Sequence, residues 1–247
     1  MRILILNPNT SAVLSTRMVD AVRATGTAAE LVPVTANQGF PYISSRAEAA
    51  IAAKTVLELI ADHSDVDAVV IAAFGDPGLV AARELFDMPV VGMADAAMLT
   101  ACALGERFAI VTFSQNLSAW YRNSVERAGL LARFTGVVWP DEAFGSIDTV
   151  QDDLEAQLEG LCHKAAREGA DVVILSGSPL AGLAQRIGPR LPVPAIDPIA
   201  AAVLQAEALV RLNVQPAKVG SFARPPAKPV TGVSPPLARR IAHRGDS

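Results

Sequence analysis

Two stretches of the chain repeat each other, and both change character where a two-sided catalyst would carry its reactive groups. Asp67-Ala-Val-Val-Ile-Ala-Ala73-Phe-Gly-Asp-Pro-Gly78-Leu79 aligns without a gap with Asp171-Val-Val-Ile-Leu-Ser-Gly177-Ser-Pro-Leu-Ala-Gly182-Leu183, at a constant offset of 104 residues. After one inserted residue, Pro89-Val-Val91 aligns with Pro194-Ala-Ile196. Each copy reads as a buried strand, a tight loop, a helix and a second short strand. A duplicated unit of this kind predicts two half-domains whose loops line one cleft. Ala73 and Gly177 then stand at equivalent places on opposite walls, and neither side chain can take or give a proton.

Polar residues surround those two positions. Asn9, Thr10 and Ser11 follow the first strand and open a helix; their side chains and amides would hold a substrate carboxylate or ring imide, with N-capping as the structural alternative. Phe74 and Gly75 follow Ala73, and their amides are placed to form an oxyanion hole. Asp76 is a candidate catalytic group, against the plainer role of helix cap. Ser176 and Ser178 flank Gly177, ahead of Pro179, as hydrogen-bond donors or a nucleophile. A serine nucleophile needs a general base. His63, His163 and His243 fall in helical segments and the tail, so the donor role fits better. Thr112, Ser114 and Gln115 follow another strand as polar contacts. Tyr42, in a loop, is a candidate donor or acid; Tyr121, in a helix, reads as core. Asp95, after Gly92, reads as a helix cap. Cys102 and Cys162 lie at apolar helical spacing and read as buried structural residues.

Alternating strands and helices must position these groups. Strand-like runs occupy 2–7, 29–34, 68–73, 89–91, 108–113, 134–138, 172–175 and 193–196; helical patterns occupy 11–24, 45–61, 77–85, 94–104, 116–128, 150–168, 180–187 and 198–212. Ser44 or Ser45 would cap the second helix. Near-continuous apolar strands within a β/α alternation predict an α/β protein with parallel sheets and right-handed crossovers. The expected organisation is two pseudo-symmetric α/β half-domains with the site in the cleft between them. Residues 1–95 with about 196–225 would form the first half, 96–195 the second, and 226–247 an extended C-terminal tail.

Ile5-Leu-Asn-Pro-Asn-Thr-Ser11, Phe74-Gly-Asp-Pro-Gly-Leu79, Val91-Gly-Met-Ala-Asp-Ala-Ala97 and Ile196-Asp-Pro-Ile-Ala-Ala201 resemble the aspartate/glutamate/hydantoin racemase superfamily, nearest its hydantoin and allantoin racemase branch. The resemblance covers nearly the whole chain. It implies a cofactor-free site in which two facing cysteines remove and return a proton at the substrate's α-carbon. Those cysteine positions fall here on Ala73 and Gly177, and the second motif, Leu-Gly-Cys-Ala-Gly-Met in the family, stands as Leu175-Ser-Gly-Ser-Pro-Leu180. Two-base racemisation needs a titratable group on each face, so the usual mechanism is absent. A related decarboxylase branch keeps one cysteine, with glycine at the other position. The resemblance therefore implies a cofactor-independent enzyme acting on a small carboxylate or cyclic imide through an enolate or oxyanion. The alternatives are a decarboxylase, cis-trans isomerase, lyase or hydrolase of the same fold, or a non-catalytic small-molecule binder.

Composition narrows the partners. The 247 residues carry a net charge of −4, with 51% hydrophobic and 19% charged residues. That leaves no basic excess for nucleic acid. No apolar run reaches the ~20 residues of a membrane span. Two cysteines form no metal or disulfide pattern, and no export signal is evident, so a reducing cytoplasm is expected. Apolar helix faces in an Ala-rich chain are compatible with a homo-oligomer.

Overall fold

A computed structural model describes residues 1–141 and 144–244. The first half runs β1 (Arg2–Asn7), α1 (Ala12–Arg23), β2 (Glu30–Thr35), α2 (Arg46–Asp62), β3 (Ala68–Ile71), α3 (Leu79–Leu85) and β4 (Val90–Gly92). After α4 (Met93–Leu104), the second half runs β5 (Phe108–Val111), α5 (Ser118–Arg127), β6 (Phe134–Val138), α6 (Val150–Asp153), α7 (Glu155–Arg167), β7 (Val172–Leu175), α8 (Leu183–Ile187) and β8 (Ala195–Ile196). Helices α9 (Pro198–Leu212) and α10 (Pro235–Ile241) complete the chain.

The strands build two parallel four-stranded sheets, in the orders β2-β1-β3-β4 and β6-β5-β7-β8. One order maps onto the other, so the sequence repeat is a repeat of topology. The apolar strands have this composition because both sheet faces are covered. Ile3, Ile5 and Val70 pack with Met18, Val22, Ile199 and Val203 on one face of the first sheet, while Leu4, Leu6, Val69 and Ile71 pack with Val56, Ile60 and Phe86 on the other. This is the two-residue alternation of a strand turned into two core layers.

The helices that follow β4 and β8 change sides. Helix α4 contacts β5, β7 and β8, whereas α9 contacts β1, β3 and β4; α4 and α9 also pack on each other. Each sheet is thus covered by the helix that leaves the other. Side-chain bonds add to the joint: Arg17 donates to the carbonyls of Pro179 and Asp148, and Arg46 donates to Asn123.

Local sequence explains the element ends. Ser11 caps α1 and Ser45 caps α2, where Glu48 accepts in return from the Ser44 amide. Two helices begin later than their apolar patterns predict, because Gly78 and Gly182 take left-handed backbone just before α3 and α8. The expected single helix over 150–168 is interrupted at Leu154 (φ −113°, ψ 7°), giving α6 and α7. The tail is not extended throughout. Pro235–Ile241 forms α10 with Ser234 as N-cap, and Leu237 packs into the layer beneath α2. A Ser-Pro-Pro start is a helix-opening signal. Among the described residues, no helix is long and apolar enough to cross a membrane.

Candidate active site

The loops leaving β1, β3, β5 and β7 meet at the carboxyl ends of the two sheets, where parallel sheets place their sites. At the first, Asn7 and Asn9 tie the loop into a knot. Asn7 Oδ1 accepts from the Asn9 amide (3.0 Å) and from Asn9 Nδ2 (2.9 Å), and Asn7 Nδ2 donates to Ser15 Oγ (2.9 Å). Asn9 Oδ1 in turn accepts from the Ile43 amide (3.1 Å), which anchors the segment carrying Tyr42. Asn9 is buried and acts as a positioning group. Ser11 is taken by capping, because its Oγ accepts from the Leu14 amide. Thr10 is half-buried; its amide donates to Phe40 O, which fixes the same segment.

The first wall holds Ala73 and Phe74, both buried. Gly75 has φ +104°, and a Cβ built there would run into the Trp120 ring. Asp76 turns away from the cleft. Its two carboxylate oxygens accept from the amides of Ala94 and Asp95 at the start of α4, each at 2.9 Å. It therefore caps a neighbouring helix and is a positioning residue. Burial pushes its carboxyl up to about 7, with the two amide bonds pulling the other way. Asp95, the cap expected from sequence, instead pairs with Arg83 (2.8 Å).

The second wall is rebuilt around Gly177, whose φ of 104° and ψ of 140° only glycine adopts without strain. A Cβ built there would lie 2.8 Å from Phe113 Cε1. Pro179 is buried behind it. Ser176 is fully buried and donates from Oγ to Val111 O (3.0 Å), so its proton is spent on the sheet. Ser178 is buried beside Gly177.

Aromatic rings join the two walls. Phe113 packs on Tyr42 (5.7 Å between centroids) and edge-on to Phe144 (5.3 Å); Phe74 meets Tyr121 edge-on at 4.7 Å. The Tyr42 and Tyr121 phenols are close enough to interact electrostatically. Burial raises both above the usual phenol range, so both stay protonated. Among the described residues, Tyr42 Oη is buried without a hydrogen-bond partner, and the buried Thr112 Oγ1, beside the Tyr121 phenol, forms no bond of good geometry. Ser114 is half-buried, and Gln115 is exposed and does not join this set. Sequence reasoning passed over Phe113 and Trp120. No pattern in the sequence marks them, because each ring covers a loop glycine distant along the chain.

Among the described residues, no three His, Cys, Asp or Glu side chains gather as metal ligands. Cys162 is buried, which lifts its thiol to about 12, and Cys102 is half-buried in α4. Neither lies in the loops that form the two walls.

Two α/β halves with matching parallel strand orders define the racemase-type fold. The family model for Asp/Glu/hydantoin racemase matches residues 3–206, and the chain belongs to that family and to its superfamily of enzymes. A hydantoin racemase of Paenarthrobacter aurescens is 34% identical over 92% of this chain and 99% of its own length. The allantoin racemase from Klebsiella pneumoniae superposes with a TM-score of 0.88 at 34% identity, covering 94% of this chain and 96% of that one. Arylmalonate decarboxylase shares the fold, with a TM-score of 0.56 at 15% identity over 98% of this chain and all (100%) of its own.

Proposed function

We propose that the protein is a cofactor-independent enzyme that acts on a small carboxylate or cyclic imide by stabilising an enolate or oxyanion, without a two-thiol proton relay. The observation that carries this reading is a buried phenol, Tyr42, with no acceptor of its own among the described residues, near the loops of both walls. Among the same residues Thr112 Oγ1, beside the Tyr121 phenol, forms no bond of good geometry. A buried donor left unpaired costs roughly 1–3 kcal/mol. Such a cost is offset when a ligand oxygen supplies the missing acceptor. In a dry cleft, donors aimed at a developing negative charge are the strongest stabilising device available to a protein.

The two walls limit the chemistry. With a methyl at Ala73 and no side chain at Gly177, no protein thiol removes a substrate proton. The reaction class that fits is one in which the substrate forms its own carbanion, as when a carboxylate leaves. The C–C bond then breaks, its electron pair passes into the enolate, carbon dioxide departs, and water supplies the proton. Asn9 and Thr10 hold the Tyr42 segment in place, and Asp76 fixes the Phe74–Gly78 loop.

The test is proton NMR in deuterated water with hydantoins, amino acids, substituted malonates and maleate. A new product supports the reading and names the reaction class. Solvent deuterium at an α-carbon with inversion and no product would overturn the exclusion of racemisation. The absence of any titratable group at Ala73 and Gly177 also favours a second reading, a small-molecule binder. Ligand-induced stabilisation without turnover would establish that instead.

A further inference from the structure

Glycine at position 177 accounts for a lost thiol but not for what replaced it. A bare glycine leaves a void on that wall, which water fills, and water there would reprotonate a carbanion from that side. Here the void is closed. The Phe113 ring stands 2.8 Å from where a Gly177 Cβ would be, and it is only 1% exposed. Its position is fixed from three directions. The backbone of Thr112 just before it is bonded to β6 through Val138 O (2.9 Å), Tyr42 lies at 5.7 Å, and Phe144 meets it edge-on at 5.3 Å. An aromatic ring carries no transferable proton and excludes water from the surface it covers.

We propose that Phe113 is the specificity-determining residue of the cleft: its ring blocks the Gly177 face of a bound molecule's reacting carbon, so the site distinguishes mirror-image ligands and exchanges protons from the Ala73 face alone. The inference rests on the proposed site for its location, while its consequence for binding is independent of turnover. Two mirror-image carboxylates cannot both place an apolar substituent against the ring while giving their oxygens to the same hydroxyl donors. One enantiomer must forfeit either the ring contact or the hydrogen bonds.

The experiment is calorimetric titration of the full chain with (R)- and (S)-2-phenylpropionate, which keep their configuration. A ring contact of this kind corresponds to a preference of roughly ten-fold between enantiomers. Phe113→Ala should reduce it to about two-fold or less, and Phe113→Leu, which keeps more of the packed volume, should give an intermediate ratio if the alanine variant does not fold. Equal affinities in the parent protein, no binding of either probe, or an unchanged ratio in both variants would overturn the proposal. Deuterium exchange of 5-phenylhydantoin enantiomers separates it from the proposed function. Enantiomer-selective binding with no exchange or product across the NMR panel leaves Phe113 as assigned and removes the enzymatic reading. Exchange at equal rates for both enantiomers keeps the enzymatic reading and removes the assignment to Phe113.

Discussion

Asp76 and Asp197 bring a carboxylate to equivalent places in the two halves from opposite ends of the repeat. In the repeat, Asp197 corresponds to Gly92 and Asp76 to Leu180. Asp197 is the N-cap of α9, accepting from the Ile199 amide, and it reaches back to the Gly182 amide in the β7 loop (2.5 Å). Asp76 sits in the β3 loop and reaches forward to the amides of α4. A Cβ built on Gly92 falls on the Asp76 carboxyl, so the loop residue occupies the space that the cap residue fills in the other half. Both carboxylates join a strand-end loop to the start of the helix that crosses to the opposite sheet.

That equivalence predicts that the brace can be transferred. Gly92→Ala should destabilise the fold by about 1–3 kcal/mol, because the methyl displaces a buried carboxylate. The double substitution Asp76→Gly with Gly92→Asp moves the carboxylate to the place it has in the second half; glycine suits the positive φ (53°) of position 76, and Gly92 already has the extended backbone (φ −92°, ψ 146°) of an N-cap. It should recover most of that loss in urea denaturation. A double variant less stable than Gly92→Ala would refute the equivalence.

The same residue governs the pH response. Asp76 titrates at about 7 when folded, against 3.8 for a free side chain, because burial disfavours its ionised form. Between those values the folded chain holds a proton that the unfolded chain has lost. Its contribution is therefore fully present below about 3.8 and declines as pH rises to about 7. Asp76→Asn, neutral and of the same shape, should remove that decline. The difference in melting temperature between parent and variant, followed from pH 4 to 8, should change through this window and level off above it.

Restoring a thiol to the second wall should be costly. Gly177→Cys meets both a positive φ and the Phe113 ring, and roughly 2 kcal/mol or more should be lost. Phe113→Ala in the same chain should relieve the steric part and leave the backbone part, so the two changes should couple by about 1 kcal/mol or more in a double-mutant cycle. Additive effects would show that ring and glycine do not share the space.

Tyr42→Phe separates stability from binding. Removing an unpartnered buried hydroxyl should leave the melting temperature of the empty protein unchanged or slightly higher, since no hydrogen bond is lost. Binding of a carboxylate probe should weaken roughly ten-fold by calorimetry, as a donor to a charged oxygen is lost. A large loss of stability would mean that the phenol has a structural partner.

Much of this architecture was legible in the sequence. The 104-residue repeat and the apolar strands predicted the two matched sheets, because a strand covered on both faces has little freedom in composition. The loop positions of Asn9, Ala73, Thr112 and Ser178 were legible for the same reason. What each side chain does there was not. Asp76 lies in a loop that could cap the next helix, yet it caps one 18 residues further on, at Ala94. Phe113 is an ordinary strand-end aromatic by pattern, and only the fold brings it against Gly177. Such roles depend on contacts distant in sequence, which periodicity does not encode.

The exchange of α4 and α9 between the sheets has a consequence for biosynthesis. As the chain leaves the ribosome, β1 and β3 emerge well before Ile199, Ala202, Val203 and Ala206, which cover one of their faces and are made only after the whole second sheet. The first half must therefore remain open while the second is being made, with Ile3, Ile5 and Val70 lacking their cover. A nascent chain stalled before Pro198 would expose an apolar sheet face, the kind of surface that recruits chaperones or aggregates.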